Sequence, residues 1–84
     1  MKCHVAVIGC GQLGRRHIQG LGISKSEIKV HIYDNSQDSI QTCKTFISDI
    51  AHEIRNLEIE FYETKEALGK AISFFNLVII SSTA

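Results

Sequence analysis

The sequence predicts an α/β fold on a parallel sheet, and three observations predict it. Strand-like and helix-like segments alternate along all 84 residues, which implies parallel strands joined by right-handed helical crossovers. A glycine-rich segment, VAVIGCGQLGRRH over residues 5–17, lies where an apolar run hands over to a helical pattern. Side-chain patterning then separates interior strands from an exposed edge. Together these specify a Rossmann-like, partial doubly wound sheet of four strands in the order 3-2-1-4, with three helices.

The elements follow in chain order. The first strand runs from Cys3 to Ile8, and its VAVI core is apolar on both faces, which suits a sheet interior. The first helix runs from Gln12 to Leu21. Its apolar stripe is Leu13, His17 and Leu21 with Ile18 beside them, and Gly20 and Gly22 are its stop signals. A polar connection, Ser24 to Glu27, leads to a second strand from Lys29 to Asp34. Asp34 to Ser36 supplies caps for a long second helix with the stripe Ile40, Cys43, Phe46 or Ile47, Ile50 and Ile54. The third strand, Leu57 to Tyr62, alternates: Ile59 and Phe61 on one face, Glu58, Glu60 and Tyr62 on the other, as expected of an edge. Thr64 caps a third helix whose inner face is Ala67, Leu68, Ala71 and Ile72. The fourth strand is Leu77 to Ser81. Its apolar LVII suits an interior position, yet the predicted order leaves it at an open edge.

The glycine segment carries the chemistry. Gly9, Gly11 and Gly14 form G-x-G-x-x-G at a strand-to-helix junction. Gly9 lets the chain turn out of the strand, Gly11 lets a pyrophosphate approach the main chain, and Gly14 lets the helix pack closely on the sheet. The helix start adds unpaired N–H groups and a partial positive charge, to which Arg15 and Arg16 can contribute. Asp34, twenty positions after Gly14, is placed to accept hydrogen bonds from an adenosine ribose; its other reading is a turn former ahead of Asn35 and Ser36. A carboxylate there, with no arginine at Asn35 or Ser36, favours NAD over NADP. The expected cofactor-binding residues are therefore Gly9, Gly11, Gln12, Leu13, Gly14 and Asp34, with Ser81, Ser82 and Thr83 lining the crevice at the end of the fourth strand.

Composition narrows the partners. The chain is 44% hydrophobic and 21% charged, with formal net charge +0. That is an ordinary globular composition, and it argues against nucleic acid or an anionic membrane as partner. No apolar run approaches a membrane span, and the expected setting is cytoplasmic. The three cysteines, Cys3, Cys10 and Cys43, lack metal-ligand spacing and are expected as reduced thiols, with Cys3 and Cys43 in the core. Cys10 lies in the loop, where N–H groups can lower a thiol pKa; the plainer reading is a small residue at a free position. His4, His17, His31 and His52 form no ligand set.

The segments GCGQLGRRH, YDNS and LVIISSTA resemble the start of the glucose–fructose oxidoreductase / inositol dehydrogenase (Gfo/Idh/MocA) family, with His17 three residues after Gly14. The resemblance spans the chain but only the first half of that family's nucleotide domain. It implies an NAD(P)-dependent oxidoreductase acting on sugars, polyols or related alcohols. Two departures stand out. Thr83 is followed by Ala84 where the family carries a Thr-Pro pair. The family's catalytic lysine in a Glu-Lys-Pro motif has no counterpart, nor does its substrate domain; Lys65 and Lys70 are no substitutes. No catalytic residue and no metal ligand is thus expected in residues 1–84.

A small sheet with one thinly covered face is marginal alone. Three explanations present themselves, in this order: an N-terminal piece of a longer enzyme, pairing of two copies through the fourth strand, and a fold complete in some unforeseen way. The leading functional expectation is the cofactor-binding portion of an oxidoreductase, without turnover of its own. The alternatives are a non-catalytic binding or self-assembly module using the fourth strand, and a methyltransferase using S-adenosylmethionine. The glycine spacing favours a dinucleotide over the last.

Overall fold

The computed structural model describes residues 3–72 and 77–81, with side chains through residue 71. It is a small α/β unit with parallel strands in one sheet and three helices. The elements are β1 (Cys3–Ile8), α1 (Gln12–Ile23), β2 (Ile28–Tyr33), α2 (Gln37–Asp49), a 3-10 turn (Ala51–Glu53), β3 (Leu57–Tyr62), α3 (Lys65–Ile72) and β4 (Leu77–Ser81). β1 pairs in parallel with β2 and with β4, and β2 pairs in parallel with β3, so β1 and β2 lie inside the sheet.

Register sorts the side chains into two faces. Val5 lies opposite Val30 and Val7 opposite Ile32; Val30 lies opposite Ile59 and Ile32 opposite Phe61. With Ile18 of α1 and Ile40 and Cys43 of α2 these form the buried core, and Ile59 and Phe61 pack at its margin. Burial of this apolar face is the main favourable contribution to the fold. The opposite face carries His4, Lys29, His31, Glu58, Glu60 and Tyr62, and α3 packs against β2 and β3 there. Leu68 of α3 is buried.

Capping follows the sequence at two helices. Ser36 caps α2, accepting from the Ser39 N–H at 3.3 Å. Thr64 accepts from the Ala67 N–H at 3.0 Å ahead of α3. At α1 the structure corrects three expectations. The helix runs through Gly20 and Gly22 to Ile23. It is stopped by Lys25, which takes a left-handed φ of 62° while its N–H bonds to the Gly22 carbonyl. The inward stripe is Gly14, Ile18 and Gly22, with Leu21 packed beside them, whereas Leu13 is 53% exposed and His17 is exposed. At Gly22 the missing side chain makes room for the 3-10 turn: a Cβ there would lie 2.5 Å from Ile54 Cγ2 and 2.9 Å from the Glu53 carbonyl oxygen.

Two further corrections concern packing. Cys3 is exposed, not a core member; it precedes the buried stretch of β1. α2 ends at Asp49, and Ile50 and Ile54 of the predicted stripe are buried from the 3-10 turn's flanks rather than from the helix. On α3, Ala67 is exposed and Ala71 only half-buried, so Leu68 carries the inner face; the Ile72 side chain lies outside the described set.

Candidate functional site

β1 ends at Ile8, and the backbone turns at once. Gly9 has φ 93°, a conformation that a residue with a Cβ rarely adopts. Its N–H donates to the Tyr33 carbonyl at 2.8 Å, tying the turn to the end of β2. Gly11 is the N-cap of α1 and offers no side chain to its first N–H groups; the Arg15 N–H closes the first turn on the Gly11 carbonyl at 3.0 Å. Gly14 is buried, and a Cβ there would run into the Gly9 carbonyl oxygen. The helix therefore begins against the turn it leaves, with the uncapped donors of its first residues facing outward.

Asp34 stands beside this loop. Its Oδ2 accepts from the Cys10 N–H at 2.8 Å and its Oδ1 from the Ser36 N–H at 2.8 Å. A carboxylate has about four acceptor positions; these two bonds fix its orientation and leave acceptor capacity on both oxygens. Asp34 thus shapes the turn after β2, as its second reading had it, and its carboxylate lies against the glycine loop.

Cys10 is fully buried, and its thiol is pushed up to about 12 by burial, with Cys43 and Asp34 adding to the shift. The alternative of a thiol lowered by loop N–H groups does not hold, because the Cys10 N–H bonds to Asp34 and the thiol lies in the core with Cys43; the position expected to be free is instead a core one. Burial also raises the Cys43 thiol.

The remaining site residues divide. Ser81 closes β4 opposite Ile8, at the carboxyl end of the sheet where the glycine loop begins. Ser82 and Thr83 lie outside the described residues. Leu13 is exposed next to the loop. Gln12, as the first residue of α1, belongs to the loop by its backbone, but its side chain lines a groove of about 510 Å³ between α1 and α2, with Arg15, Arg16 and Gln19 of α1 and Thr42, Thr45, Phe46 and Asp49 of α2.

Sequence reasoning missed one constellation. On the polar face of the sheet, His4 Nδ1 and His31 Nε2 share a hydrogen bond of 2.9 Å, and His31 Nδ1 and the Tyr62 hydroxyl share one of 2.8 Å. His31 is 1% exposed. Burial lowers its pKa, and His4 and Lys29 add to that; burial raises that of Tyr62, with Glu60 adding. Lys29 lies 3.4 Å from Glu58 and 3.4 Å from Glu60. Polar residues at alternate positions of β2, Lys29 and His31, were the available signal. Among the described residues no group of three or more His, Cys, Asp or Glu is placed to hold a metal ion, and no helix is long and apolar enough to cross a membrane.

No protein-family model matches the chain, and neither a curated protein nor a solved structure matches it.

Proposed function

We propose that the chain is the NAD-binding N-terminal portion of an oxidoreductase that acts on a sugar, polyol or related alcohol, working in the cytoplasm. In this reading the sheet is the first half of a doubly wound fold of order 3-2-1-4. Gly9, Gly11, Gln12, Leu13 and Gly14 meet the pyrophosphate, Asp34 meets the adenosine ribose, and Ser81 to Thr83 line the crevice. The observation that carries it is the carboxylate of Asp34, bonded to the Cys10 N–H and so held against the glycine loop. A ribose and two phosphates need an acidic acceptor and bare N–H donors side by side, and the uncapped start of α1 supplies the donors.

This chain's own residues bind and orient the cofactor, and the nicotinamide supplies hydride chemistry when bound. In this reading no residue of the chain is assigned proton transfer to a substrate alcohol, so residues 1–84 alone are expected to show no turnover. The test is calorimetric titration with NAD alongside Gly11→Val, which places a branched side chain at the phosphate approach. Weak saturable binding by the parent and its loss in the variant support the reading; equal binding by both rejects it.

A second reading, a self-assembly module, is favoured by one observation: β4 pairs with β1 and, among the described residues, with no other strand. An open strand margin invites addition of another strand. Sedimentation at tens of micromolar separates the two, since a strict monomer removes this alternative.

A further inference from the structure

We propose that the groove between α1 and α2 is a second binding site, separate from the nucleotide crevice, for a small phosphate monoester that carries a flat ring. The groove holds about 510 Å³, within the range of small-molecule sites. Its walls are rich in donors: the amides of Gln12 and Gln19, the guanidinium groups of Arg15 and Arg16 and the hydroxyl of Thr42. Asp49 is its single carboxylate.

Three observations point to an anion. Lys29 pairs with Glu58 and Glu60, and His52 contacts Glu53; among the described residues Arg15, Arg16 and Asp49 take part in no ion pair. Two adjacent guanidinium groups thus line one groove with no carboxylate within ion-pair distance, although the same groove contains one. Arg15 also stands in the first turn of α1, which has no acidic residue, with Arg16 directly after it. Cations are disfavoured there, and a local arrangement that opposes stability is the usual mark of a site kept for binding. Finally, Arg15 Cζ lies 5.9 Å from the Phe46 ring centroid. The guanidinium is drawn across the groove to α2 over the Phe46 ring, and its own outer plane offers a face on which a planar group stacks. A guanidinium pair matches the oxygens of a phosphate in geometry as well as charge. Asp49, at the far end, is placed to accept from a hydroxyl or amine on the ring.

The probe that tests this is phenyl phosphate, which has the phosphate and the ring but neither ribose nor diphosphate. Titration into the isotopically labelled chain is expected to shift Gln12 to Gln19 and Thr42 to Asp49 along one saturable curve. Inorganic phosphate and phenol, as separate arms, are expected to act on the same residues at least tenfold more weakly. Arg15→Gln combined with Arg16→Gln keeps helix-forming side chains and is expected to weaken phenyl phosphate at least tenfold, while Asp49→Asn tightens it. The proposal is overturned if the curve does not saturate by roughly 10 mM. It is equally overturned if the double variant binds within twofold of the parent, or if the shifts centre on Gly9 to Gly11 and Asp34.

Discussion

At the scale of single residues, burial decides chemistry more than sequence position does. Cys10 sits in a loop rich in N–H donors, the setting that activates a thiol, yet its own N–H is committed to Asp34 and its sulfur is enclosed with Cys43. A thiol titrating at about 12 is protonated at neutral pH and is a poor nucleophile. Cys3, at the start of β1 ahead of that loop, is exposed. Of the three cysteines, only Cys3 is therefore expected to react with a thiol reagent in the native chain, and all three after denaturation. A count of modified thiols by mass spectrometry checks this, and native labelling of Cys10 at the rate of Cys3 would contradict the placement of its side chain.

At the scale of elements, helix ends and strand faces explain what the sequence showed and what it hid. α1 is terminated by Lys25 at φ 62°, a conformation that costs a residue with a Cβ about 1 kcal/mol or more. Lys25→Gly should raise stability by roughly 0.5–1 kcal/mol, read as a higher urea midpoint; an unchanged or lower midpoint would argue against a left-handed stop there. The extents of β1, β3 and β4 were legible, because runs of alternating or continuous apolar residues bounded by polar ones leave few options. The inward face of α1 was not. Periodicity scores large apolar side chains, which selected Leu13 and His17, while the contact is made by Gly14 and Gly22, where backbone approaches backbone. The His4–His31–Tyr62 chain was hidden for another reason: it joins three strands, and its members meet only once register is known. That chain has a consequence for acid stability. His31 is faced by His4, Lys29, Glu58, Glu60 and Tyr62, and burial holds its pKa below the ordinary value of 6.5. The unfolded chain takes up a proton near that value and the folded chain only at lower pH, so unfolding binds protons in the interval. Stability is thus fully present above about pH 6.5 and is lost as pH falls below it. Urea midpoints should drop between about pH 7.5 and pH 5.5, and His31→Gln should flatten that dependence even if it lowers stability at both ends. A slope that the substitution leaves intact would move the cause elsewhere.

At the scale of the whole molecule, shape sets how much a ligand can matter. The chain measures 30 × 30 × 18 Å, a slab rather than a sphere. Its accessible surface of 5391 Å² exceeds the roughly 5,000 Å² typical of a folded protein of this mass. By the same scaling it buries only about 60% of the surface that its unfolded chain exposes. One sheet face carries the core under α1 and α2; the other bears α3 and a polar ladder of histidine, lysine, glutamate and tyrosine, which contributes little apolar burial. Such a chain is close to the margin of stability, where binding free energy becomes a large share of the total. If NAD occupies the glycine loop and Asp34, a concentration a hundredfold above its dissociation constant should add about 2.7 kcal/mol to the unfolding free energy. The thermal midpoint should then rise by roughly 10–20 °C, since a domain of this size shifts about 4–8 °C per kcal/mol. Asp34→Ala removes the acceptor proposed for the ribose and frees the Cys10 N–H, so the variant should be less stable alone and should also lose most of the NAD-dependent rise. The two effects are separable, because the first is measured without ligand and the second as a difference within each protein. A rise that is the same in parent and variant would mean that the stabilising contact with NAD lies away from the glycine loop.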